Sequence, residues 1–154
     1  MERIGTPRKL ISVMIVDDQL LIRDAIAAML ESSGRFKVTD LLERGDDAHD
    51  AARRSTPQIA IIDIEMPGRS AFDTARAIRA SSPQTRVVFL TGHGHRRFMQ
   101  EAADIGAAAF LEKSTSPADV LYTLERVGNG EQIGIQQEPD PDAGRFDRLS
   151  PREL

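Results

Sequence analysis

The segment Ile59-Ala60-Ile61-Ile62-Asp63, with Met66-Pro67-Gly68 close behind it, decides how this chain folds. An apolar run this short and rich in isoleucine suits a strand covered on both faces. It ends on a carboxylate, and the Pro67-Gly68 pair makes a turn behind it. Residues 10–16, 87–90 and 107–111 repeat the pattern, and residues 36–42 repeat it more weakly.

Helical periodicity fills the intervals. Over residues 20–30, Leu21, Ala25, Ala28 and Met29 fall on one stripe. Ala48, Ala51 and Ala52 mark a second, weaker helix. Phe72, Ala75, Ile78 and Arg79 mark a third, and Phe98, Ala102 and Ile105 a fourth. Val120, Leu121, Leu124 and Val127 mark the last, which Ser116 caps, Pro117 opens and Asp119 supports at its positive end. Strand and helix alternating five times predict an α/β fold: a doubly wound five-stranded parallel sheet with helices on both faces.

In such a sheet, sites form outside the carboxyl ends of the strands, where strand order reverses. Asp17 and Asp18 follow the first strand, Asp63 ends the third, Thr91 the fourth, and Lys113 lies beside the end of the fifth. Gathered carboxylates repel one another unless a cation neutralises them. Mg²⁺ answers that need, because it takes few protein carboxylates and bridges to phosphate oxygens. Lys113 adds a compact positive charge and Thr91 a hydroxyl. Asp63, alone at its strand end, is the natural nucleophile for a phosphoryl group.

Bulk properties narrow the class. The 154 residues are 40% hydrophobic and 29% charged, as in a soluble globular domain with a tail. The net charge of -4 is no footprint for nucleic acid. There is no cysteine, which excludes disulfides and thiolate metal sites and favours the cytoplasm. No apolar run approaches the ~20 residues of a membrane span, so no membrane role is expected. His49 and His95 form no metal pattern.

Taken together, these residues resemble the receiver domain of bacterial response regulators, over roughly residues 10–130. The resemblance rests on Asp17-Asp18, on Asp63-Ile64-Glu65-Met66-Pro67-Gly68, on Thr91-Gly92, on Gly106-Ala107, and on Phe110 and Lys113. It implies a flavodoxin-like receiver fold. It implies Mg²⁺ held by Asp17, Asp18, Asp63 and the backbone carbonyl of Glu65. It implies that Asp63 takes phosphate from a sensor histidine kinase, that Lys113 contacts the phosphoryl oxygen, and that Thr91 and Phe110 move as the switch. Glu65 and His93, two residues past Asp63 and Thr91, would tune the phosphate lifetime. The domain would be a signalling phosphoacceptor that catalyses only its own phosphorylation and dephosphorylation. A partner or a second copy would read the altered surface of the last helices.

Residues 1–9 read as an N-terminal tail and 131–148 as a Gly- and Pro-containing linker. Residues 149–154 open a helix, with Ser150 as cap, Pro151 at the first position and Glu153 completing a capping box. This end is similar to the start of the helix-turn-helix domain of NarL/LuxR-type regulators. The resemblance implies a missing C-terminal domain that binds DNA and controls transcription.

Several features depart from the family pattern. Gly92 stands where Ala is usual, and Ser114 where Pro often follows the Lys. Phe110 has no hydroxyl, so its switching would act by packing alone. Each residue also has a plain structural reading: the Asp pair as a helix cap, Thr91 as an ordinary strand end, Phe110 as core, Lys113 as a surface charge. Two other functions remain open at this point. A haloacid-dehalogenase-like phosphatase would place its nucleophile after the first strand with Asp two residues on, where this chain has Gln19. A pseudo-receiver would bind partners without phosphorylation, and the intact acid set speaks against it.

Overall fold

The computed structural model of the chain describes residues 9–66, 68–92 and 98–133. Five strands, β1 (Ile11–Val16), β2 (Phe36–Leu42), β3 (Ile59–Asp63), β4 (Arg86–Thr91) and β5 (Ala109–Glu112), form one parallel sheet. Five helices alternate with them: α1 (Leu20–Ser32), α2 (Ala48–Ser55), α3 (Ala71–Ser81), α4 (Met99–Ile105) and α5 (Pro117–Gly128). A 3₁₀ turn at Gly45–Asp47 leads into α2.

Both sheet faces are buried, which explains why the strands read as apolar runs and not as alternations. Met14, Val16, Ala60, Ile62, Val87 and Phe89 face one core with Ala51, Phe72, Ile78 and Ala102. Val13, Ile15, Ile59, Ile61, Val88 and Leu90 face the other with Ala27, Leu30, Leu124 and Val127. Helices α2, α3 and α4 thus cover one face, and α1 and α5 the other.

The buried stripe of α1 differs from the expected one. Of the expected residues Met29 packs against the core, joined by Ile26 and the buried Ala27 and Leu30, whereas Leu21 is 87% exposed. The helix is apolar on so many sides that two stripes share the same spacing, and only the sheet decides between them. At α5 the expected cap is present: Ser116 Oγ accepts the Asp119 N–H, with Pro117 in the first turn. The strand after Gly106 begins at Ala109, later than expected, because Ala107 and Ala108 belong to the connector.

Strand order is β2-β1-β3-β4-β5, so the winding reverses between β1 and β3. A crevice therefore opens at the carboxyl ends of those two strands.

Candidate functional site

Main-chain hydrogen bonds continue past the strand ends and hold that edge in register. The Asp17 N–H donates to the Leu42 carbonyl, Ile64 to Leu90, and Lys113 to Thr91. Val16 pairs with Ile62, which sets Asp17 level with Asp63 across the reversal point. Asp63 pairs with Leu90, so Thr91 and Gly92 leave β4 directly beside it.

The expected acids converge. Asp17, Asp18 and Asp63 each place a carboxylate oxygen within 4.8 Å of the others. Asp17 and Asp63 are fully buried, and Asp18 is half-buried. Lys113 reaches in from the residue after β5, with Nζ 3.2 Å from Asp63 Oδ2 and 3.6 Å from Asp17 Oδ2. One oxygen of each buried acid is held by the backbone: Gln19 N–H donates to Asp17 Oδ1 at 2.9 Å, and Glu65 N–H to Asp63 Oδ1 at 3.0 Å. Asp17 Oδ2, Asp18 Oδ1 and Asp63 Oδ2 are buried without a hydrogen bond, and the Asp17 and Asp63 oxygens have only the Lys113 ion pair.

Such orphaned carboxylate oxygens are costly, and hard oxygen donors of this kind fit a divalent cation. The electrostatics agree. The Asp17 carboxyl is pushed up to about 6, chiefly by burial and further by the Asp63 charge; the Gln19 N–H and Lys113 oppose the rise. Asp17 therefore gives up its proton less readily than a solvated carboxylate.

Thr91 is buried at the end of β4. Phe110 is half-buried on β5, its ring 6.2 Å from that of Phe89, which in turn lies 5.0 Å from Phe72. An aromatic row thus runs from β5 under the site to α3. Glu65 is exposed, and its Oε1 accepts the Gly92 N–H at 3.3 Å. The Lys113–Ser114 peptide is trans. His93, His95 and residues 149–154 lie outside the described residues.

Sequence reasoning missed Gln19 as part of the site: its Oε1 accepts a hydrogen bond from Lys113 Nζ. Its position directly after the acid pair was the available signal. Among the described residues, no helix is long and apolar enough to cross a membrane.

Comparison with known proteins agrees with this fold. Residues 13–125 match the response regulator receiver domain family. The response regulator UvrY of Escherichia coli K12 is 29% identical, over 94% of this chain and 71% of that protein. The transcriptional activator protein ExaE of Pseudomonas putida is 30% identical, over 92% of this chain and 72% of that one. Among solved structures, the receiver domain of a putative NarL regulator from Mycobacterium tuberculosis superposes with a TM-score of 0.75. It is 26% identical and covers 80% of this chain and 99% of its own. A LuxR-family regulator from Staphylococcus aureus gives 0.72 at 26% identity, over 78% and 100%.

Proposed function

Because the chain belongs to the receiver domain family of two-component response regulators, we propose that Asp63 is its phosphoacceptor, served by Lys113, Thr91 and an acidic cation site. The observation that carries this reading is the orphaned, buried Asp63 Oδ2 facing Lys113 Nζ at 3.2 Å. A carboxylate oxygen held in this way is free to form a bond.

Asp17, Asp18 and Asp63 would hold Mg²⁺, with the Glu65 carbonyl as a further ligand. The ion, when bound, supplies positive charge to the acids and to the phosphoryl oxygens. The protein's own groups do the rest. Glu65 N–H fixes the Asp63 carboxylate, so its other oxygen is presented to the donor. That oxygen attacks the phosphorus of a kinase phosphohistidine, the P–N bond breaks, and the imidazole leaves with a proton. Lys113, already poised by Gln19, takes a phosphoryl oxygen. Thr91 turns its hydroxyl toward the new group, and Phe110 repacks along Phe89 behind it. Glu65 and His93 set how long the phosphate survives.

The switched surface of α4, β5 and α5 would act on a DNA-binding domain beyond a linker at 131–148, or on a second copy of the chain. The receiver-domain matches and the names of the transcriptional relatives support this reading. A cytoplasmic site of action fits the proposed kinase partner and a chain without cysteine.

Incubation with Mg²⁺ and a small phosphodonor tests the reading against its rivals. The phosphoacceptor gains one phosphate per chain and loses it slowly, and Asp63→Ala gains none. Continuous turnover of many equivalents would indicate a phosphatase. No uptake at all would indicate a pseudo-receiver.

A further inference from the structure

Glu65 joins two parts of the site at once. Its N–H donates to Asp63 Oδ1, and its side chain turns across to β4, where Oε1 accepts the Gly92 N–H. Gly92 is the first residue after β4, beside the acceptor and at the start of the connection to α4. The approach is close, since a Cβ at position 92 would lie 3.2 Å from Glu65 Oε1 and the carboxylate would have to give by a few tenths of an ångström. Contacts that tight are unfavourable unless the carboxylate gives way.

We propose that Glu65 is a latch: its carboxylate occupies the Gly92 N–H in the resting domain and must release it before a phosphoryl group on Asp63 can settle. This deepens the reading of Asp63 as phosphoacceptor and rests on it. A phosphoryl group brings strong acceptor oxygens and negative charge to the rim where the Glu65 carboxylate sits. Two acceptors compete for one donor, and the single Gly92 N–H cannot serve both. Glu65 is exposed, so its carboxylate has solvent to swing into. The latch therefore sets a barrier to phosphorylation and holds the start of the β4–α4 connection in its resting position. Glu65 acts here as a positioning residue; it does not touch the donor.

Phosphate uptake with Mg²⁺ and acetyl phosphate, followed on the whole chain, tests the latch. Losing one charge-assisted hydrogen bond that opposes the step predicts that Glu65→Ala speeds uptake about three- to tenfold. Gly92→Ala, which pushes the carboxylate back by a few tenths of an ångström and weakens the contact, gives a smaller gain. The double variant is no faster than Glu65→Ala, because both changes act on one contact. Glu65→Gln keeps an acceptor oxygen at the same reach and stays within about twofold of the parent. In resting protein, the Gly92 amide proton resonance shifts in Glu65→Ala.

A Glu65→Gln protein as fast as Glu65→Ala would reduce the effect to charge repulsion and overturn the latch. Additive gains in the double variant, parental rates throughout, or an unmoved Gly92 amide would overturn it as well. If the parent itself takes no phosphate, the acceptor reading fails first and the latch falls with it.

Discussion

Lys113 Nζ lies 3.2 Å from Asp63 Oδ2, and the lysine side chain is only 12% exposed. It is the sole base among the described residues in ion-pair contact with the acids at the crevice. Lys113→Met keeps the aliphatic stem and removes the charge. Leaving the buried carboxylates unpaired destabilises the metal-free domain by about 3 kcal/mol. Phosphate uptake slows at least about tenfold, one unit of charge stabilisation lost at the transferring group. Denaturant unfolding and uptake kinetics read the two effects. A variant with parental uptake would remove Lys113 from the mechanism.

Asp17 gives the domain a pH signature. Its carboxyl is raised from 3.8 to about 6, chiefly by burial. Between those values the unfolded chain gives up the proton while the folded chain keeps it. The stability held by this group is therefore complete below pH about 4 and is lost as pH rises through about 6. Asp17→Asn, which still accepts from Gln19 N–H, flattens that fall. It makes the metal-free protein more stable near neutral pH while weakening its Mg²⁺ binding. Unfolding curves in a chelator across this range measure it. An Asn variant less stable than the parent near neutral pH would contradict the assignment.

The aromatic row separates core from switch. Phe89 is fully buried between Phe72 and Phe110, so Phe89→Ala costs about 3–5 kcal/mol of stability. Phe110 is only half-buried, so Phe110→Ala costs less than about 2 kcal/mol and leaves phosphate uptake intact. Its effect appears in the coupling of phosphorylation to the α4–β5–α5 surface. Thermal unfolding and amide exchange on β5, with and without phosphate, distinguish these outcomes. Equal stability losses at the two positions would make Phe110 plain core.

Much of this arrangement is legible in residue order alone. Apolar runs ending in Asp17, Asp63 and Thr91 announce strands, because a carboxylate or hydroxyl is costly in the middle of a strand covered on both faces. Ser116-Pro117 announces α5 by local capping chemistry. What local pattern cannot decide is set by distant neighbours. Leu21, Ala25 and Ala28 match the helical period with Met29 as well as Ile22 and Ile26 do, and only docking on β1 and β2 selects between them. The roles of Gln19 and of the Glu65 side chain were hidden for the same reason. Their partners, Lys113 and Gly92, lie far along the chain and meet them only at the sheet edge.

Residue-level mapping of the phosphate is the most direct measurement. The chain is incubated with acetyl phosphate, with Mg²⁺ or with a chelator, then trapped by borohydride and sequenced by tandem mass spectrometry. The label is predicted on Asp63 alone and only when Mg²⁺ is present. Label on another side chain, or equal labelling of Asp63 in the chelator, would contradict a cation-dependent acceptor at this site.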